Sequence, residues 1–164
     1  MIKQQHGIGM VEILVALFIL AIGVLGFSAL QLRALQATAE AMDRTTAMTT
    51  ARDLTDRMRI NRLGINDYIS SINNKQTETD CFGTSTAYQP ACDVAKMAKY
   101  DATQILTKAN NAGQTIIMKQ CDGSSRTCIY IAWGKTVITK DDLSTCMLNG
   151  IYKPDAQCLV METF

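Results

Sequence analysis

Gly7-Ile8-Gly9-Met10-Val11-Glu12-Ile13-Leu14-Val15-Ala16-Leu17 is the stretch that decides the reading of this chain. A short polar leader, residues 1–7, ends in glycine, and a nearly unbroken apolar run follows from Ile8 to Leu32. One carboxylate, Glu12, lies inside that run. An acidic residue at the centre of a bilayer costs about 2.5–3.5 kcal/mol on insertion scales, so a membrane helix that keeps one usually has a partner for it.

Three simpler readings fit less well. A secretory signal peptide carries an apolar region of roughly 7–15 residues followed by a small-residue cleavage site. This run is about twice as long and continues into a helical pattern. A buried core helix is amphipathic or short, whereas Ile13 to Phe27 contains no charged or strongly polar side chain. A plain membrane anchor of about 20 apolar residues fits the length. It leaves Glu12 and the Gly7–Ile8 junction without a role.

These residues resemble the class III leader and N-terminal segment of type IV pilins and pseudopilins. The resemblance implies cleavage after Gly7 by a prepilin peptidase, N-methylation of the new terminus at Ile8, and a role for Glu12, fifth in the processed chain, in subunit assembly. The stretches Ala21-Ile22-Gly23-Val24-Leu25-Gly26 and Gln31-Leu32-Arg33 are most similar to minor pilins of the PilV type. The chemistry of the motif is consistent with this. Cleavage would create a cationic amine one helical turn from Glu12, and residues four apart share a helix face. The pair can form within one chain, or between neighbouring subunits where low dielectric strengthens it. The resemblance implies the intermolecular version.

Lys3 and His6 precede the apolar run and Arg33 follows it, which weakly favours a cytoplasmic leader. All six cysteines (Cys81, Cys92, Cys121, Cys128, Cys146 and Cys158) lie in the part that would be exported. An even count there points to disulfides formed in an oxidising periplasm. Six cysteines allow fifteen pairings. Proximity suggests Cys81–Cys92, Cys121–Cys128 and Cys146–Cys158, the middle one bracketing the Asp122-Gly123 turn.

The organisation expected is a leader over 1–7, a hydrophobic transmembrane and assembly helix over 8–32, and an amphipathic helix half with a periplasmic disulfide-containing head over 33–164. No proline interrupts Ile8 to Arg62, and Gly64 and Asn66 are the first stop signals. A helix of about 50 residues would run for roughly 75 Å. Leu32, Leu35, Ala39 and Met42 form a stripe that Ala47, Ala51, Leu54 and Met58 continue. Major pilins commonly carry a proline late in the apolar half. Here only Gly23 and Gly26 loosen the helix, by about 1 kcal/mol each, which favours a minor subunit. Asp67 to Gln89 reads as loop, Ala91 to Asn110 as a second helix, and Thr115–Lys119, Thr127–Trp133 and Gln157–Glu162 as strands. Val137–Thr139 is a candidate short strand. The fold class expected is α+β and pilin-like: a long N-terminal helix packed on a small antiparallel sheet with a second helix.

Catalysis has little to work with. The only histidine is His6 in the leader, so no Ser-His-Asp or Cys-His arrangement is available to the processed chain. There is no C-x-x-C, so the expectation is no metal and no cofactor. A formal net charge of +1 gives no support for direct nucleic-acid binding. Asp141 and Asp142 read as loop residues, Tyr130 and Trp133 as packing aromatics, and Arg57, Arg59 and Arg62 as a solvated helix face.

The resemblance implies a non-enzymatic minor subunit of the type IV pilus (the fimbrium). It would insert once in the bacterial inner membrane, N-terminus inside and head periplasmic, before joining the pilus at the cell surface. Its implied partners are the prepilin peptidase/N-methyltransferase, other minor pilins, the major pilin, a tip adhesin-like protein, and inner membrane lipid before assembly. Initiation of assembly near the tip would support twitching motility, adhesion and DNA uptake. A type II secretion pseudopilin shares the leader and helix. An adhesin or DNA-uptake receptor pilin would instead recognise a ligand through its head, on exposed Tyr130, Trp133, Lys119 or Arg126.

Overall fold

Residues 9–81 and 92–163 are described in a computed structural model of the chain. The first helix, α1, runs from Met10 to Ile60, 51 residues. Its length follows from the absence of proline and from a composition of alanine, leucine, methionine and long charged residues, all good helix formers. It stops at Asn61, a few residues before the glycine that marks the end in the sequence. A 3-10 turn, Arg62–Gly64, follows.

The chain divides into two compact units after Ala41. In the first, every side chain from Gly9 to Ala39 is exposed. Leu32 and Leu35, expected to begin the packing stripe, are 62% and 67% exposed. In the second unit the stripe is real from Ala47 onward. Ala47, Ala51, Leu54 and Met58 are all 0% exposed and sit in the main core. Their spacing of four, three and four residues keeps them on one face.

The segment after Gly64 departs from the loop expected there. Ile65–Asn73 is a second helix, α2, with Tyr68 and Ile72 buried. Ile65, Ile69 and Ile72 repeat at helical spacing, and that signal outweighs the serines and asparagines read as coil. The next helix, α3, covers Val94–Asn111. Asp93 caps it, its carboxylate accepting a hydrogen bond from the Lys96 amide at 2.8 Å. The expected start at Ala91 lies outside the described residues, as does the part of the expected loop from residue 82.

Three strands form an antiparallel sheet in the order β1-β2-β5: β1 Thr115–Gln120, β2 Thr127–Ala132 and β5 Cys158–Glu162. A separate two-stranded hairpin pairs β3, Met147–Leu148, with β4, Ile151–Tyr152. Val137–Thr139 is not a strand. Nor is β2 half-buried, as its alternation suggests. Ile129, Ile131 and Trp133 enter the core shared with the helices. Cys128, Tyr130 and Ala132 enter a second cluster with Ile138 and Cys146. The C-terminal loops cover that second face, so both faces of β2 are dry. The architecture is the α+β, pilin-like arrangement expected.

Candidate functional site

The apolar segment supplies the first functional feature. Val11, Leu14, Phe18, Leu25 and Leu30 are each more than 60% exposed. α1 is the one helix among the described residues long and apolar enough to cross a membrane. So much exposed apolar surface far exceeds what a soluble monomer tolerates, so lipid or protein must cover it. Glu12 lies in the first turn of α1, where the helix dipole favours a negative charge. Its amide bonds the Gly9 carbonyl at 3.0 Å. No described cation pairs with its carboxylate. Gly7 and Ile8 lie outside the described residues, so the structure gives no geometry for the cleavage junction or for the Ile8–Glu12 pair.

The second feature is a polar relay inside the head. Arg57 of α1 donates from Nε to Asp53 at 2.9 Å and from Nη1 to Asp101 of α3 at 2.6 Å. Lys108 of α3 reaches the other Asp53 oxygen at 3.0 Å. Tyr68 of α2 donates its hydroxyl to Asp101. Asp101 is 8% exposed. Arg57 is therefore not part of a freely solvated face, contrary to the sequence reading, although Arg59 is, its side chain 61% accessible. Burial alone would raise the Asp53 carboxyl. The hydrogen bonds and charges of Arg57 and Lys108 outweigh it and hold Asp53 below the ordinary carboxylate range. Burial, then the bond and charge of Asp101, push the Tyr68 hydroxyl well above its ordinary value. Sequence reading missed Asp101 and Tyr68, because nothing local marks an α3 aspartate as buried. This relay ties three helices together and contains no nucleophile paired with a base.

The cysteines form three bridges, Cys81–Cys92, Cys121–Cys128 and Cys146–Cys158, with Cα–Cα distances of 5.2, 5.0 and 5.8 Å. No free cysteine is found among the described residues. Among them, too, no cluster of three or more histidine, cysteine, aspartate or glutamate side chains could hold a metal ion. Tyr130 and Trp133 are 2% and 3% exposed, so neither ring offers a stacking face. Lys119 and Arg126 are exposed, Arg126 lying 3.5 Å from Glu162.

An exposed apolar helical unit and a disulfide-linked α+β unit are together consistent with a membrane-anchored subunit. Comparison with known families gives the same class. The Prokaryotic N-terminal methylation motif matches residues 2–28, and the Tt1218-like family, described as Type IV pilin Tt1218, matches residues 29–103. The two are contiguous and together span more than half of the chain. The chain belongs to the type IV pilin family. The methylation motif carries with it processing by prepilin peptidase and assembly with other pilins. No curated protein and no solved structure matches the chain.

Proposed function

We propose that this pilin is a minor subunit of the type IV pilus, one that helps to initiate assembly and is incorporated at or near the tip. Residues 1–7 are the leader, removed by cleavage between Gly7 and Ile8 on the cytoplasmic side, and Ile8 is then N-methylated. Residues 8–32 cross the inner membrane once, and the part from residue 33 stands in the periplasm until the subunit enters the filament. The head works by packing rather than by catalysis. Other minor pilins, the major pilin and a tip adhesin-like protein are its partners. Twitching motility, adhesion and DNA uptake follow from the pilus it helps to build. The unbroken run without proline from Ile8 to Arg62 supports the minor role.

Glu12 carries the reading. A lone carboxylate in an exposed apolar helix is costly in lipid and useful only if something cationic meets it. The methylated amine of a neighbouring subunit is that cation. Replacing Glu12 with valine removes the insertion cost, at most about 2.5–3.5 kcal/mol and less near the interface, together with the recognition. Glu12→Val should be cleaved after Gly7 and reach normal or raised membrane levels, yet be depleted from sheared pili. N-terminal mass spectrometry of the wild type should find methylated Ile8. Equal incorporation of variant and wild type would refute the recognition role, and an intact Met1 in sheared material would refute the processing.

A further inference from the structure

β1 is an edge strand: among the described strands it pairs with β2 alone. Its outer edge is partly closed by α2. The Asn73 carboxamide meets Met118 there, donating to its carbonyl at 2.7 Å and accepting from its amide at 2.9 Å. In an antiparallel pair the backbone groups of alternate residues face the same edge. Ile116, two residues before Met118, therefore turns its N–H and C=O outward as well. Neither group has a hydrogen-bond partner among the described residues. An open edge of this kind is a template for another extended chain.

A groove of about 320 Å³ runs beside this open position, lined by Ile116, by Leu106 and Asn110 of α3, and by Lys75 and Thr77. Gln114 also lines it and is only 5% exposed. Its Nε2 donates to the Asp43 carbonyl at 2.9 Å, which fixes the carboxamide, and its Oε1 is buried with no hydrogen-bond partner. A buried acceptor in that state is costly, so a donor brought to it gains more than one meeting a solvated oxygen.

Lys75 is the one charged residue in the lining among the described residues. It sits at the end of α2 in a Schellman motif: its amide bonds the Ile72 carbonyl at 3.4 Å, and the Gln76 amide bonds the Ser71 carbonyl at 2.9 Å. Glycine is the usual residue at that position because φ is positive there, and Lys75 adopts it at 51°. The chain thus carries a cation where a residue without a side chain fits better. No described carboxylate pairs with its ammonium. One cation, no acidic lining and an open strand edge together complement an extended peptide that carries a carboxylate.

We infer that this groove binds a short, extended acidic segment of a partner protein. The backbone of the segment pairs with Ile116 as an added strand, a peptide N–H donates to Gln114 Oε1, and its carboxylate meets Lys75. The groove keeps this character wherever in the filament the subunit stands.

The test uses the full chain in nonionic detergent micelles and the acetylated, amidated pentapeptide Thr-Val-Asp-Val-Thr, followed by NMR. The peptide should bind saturably and shift the Ile116 amide and the Gln114 side-chain NH2. Two further peptides carry N-methyl groups on alternate residues, so that each loses the donors of one edge only. One should bind about tenfold more weakly and the other like the parent. The peptide Thr-Val-Lys-Val-Thr should bind more weakly than the aspartate peptide. Lys75→Gly removes the left-handed strain, so the fold should persist. It should nevertheless lose about threefold in affinity for the aspartate peptide, the size of an exposed ion pair, and with it the preference over the lysine peptide. Four results would overturn the inference: no saturable binding of the aspartate peptide, equal binding of the two methylated peptides, unchanged discrimination by Lys75→Gly, or the same shifts from acetate alone. The last would make the groove a seat for a small anion only.

Discussion

Replacing Arg57 with methionine should be among the most damaging single changes in the head. The substitution keeps most of the apolar stem and removes the guanidinium that joins Asp53 to Asp101. Asp101 would keep only the Tyr68 hydroxyl, and Asp53 would keep only Lys108. The Asp101 side chain is 11% accessible, so water replaces little of what is lost there. Removing one partner of a buried ion pair costs about 3–5 kcal/mol. Arg57 is itself 33% accessible and Asp53 32%, which lets water recover part of the loss on that side. The expected destabilisation is therefore about 2–4 kcal/mol at neutral pH. For a unit of this size each kcal/mol moves Tm by about 3–5 °C, so the midpoint should fall by about 6–20 °C. Thermal and urea melts of the full chain in detergent, followed by near-UV circular dichroism, measure it. The combined Arg57→Met, Asp101→Leu variant should lose less than the sum of the two single changes, because no buried charge is left unpaired. A single variant within about 0.5 kcal/mol of wild type, the range of ordinary surface changes, would refute the assignment of this relay as structural.

The relay also sets the acid response. Asp53 is held below its unfolded value of about 3.9, so its contribution is full above about pH 4 and is lost as pH falls through the folded value; acid melts of Lys108→Met should show a smaller loss over that window. Asn73 of α2 clasps the outer edge of β1, donating to the Met118 carbonyl at 2.7 Å and accepting from the Met118 amide at 2.9 Å. Asn73→Ala should cost about 1–3 kcal/mol and speed amide exchange at Met118, measured by NMR. Gly134 has φ +60°, and a Cβ there would meet the Gln157 Oε1 atom at 2.2 Å. Gly134→Ala should therefore lower Tm, by at least the roughly 1–2 kcal/mol that the left-handed conformation costs a residue with a side chain. Replacing both Cys146 and Cys158 with serine opens a loop of sequence separation 12; the loss should be about 2–4 kcal/mol in a denaturant melt, with an unchanged midpoint refuting a stabilising role.

Features that depend on short stretches of chain were legible in the sequence. The lone Glu12 within an apolar run is such a local pattern, and so is the hairpin across Asp122-Gly123. α1 is legible because its periodicity is sustained for dozens of residues without proline. What needed the tertiary structure were the properties set by distant segments. The serines and asparagines after Gly64 read as coil until Tyr68 and Ile72 are seen packed in the core, where burial overrides local preference. Alternation along β2 implied one wet face, but the C-terminal loops, bridged through Cys146–Cys158, dry it. Arg57 looked like one of three solvated arginines, and Asp101 looked like any helix aspartate. The two meet across 44 residues of sequence, and a buried ion pair is a product of how helices pack, which no single stretch of sequence encodes.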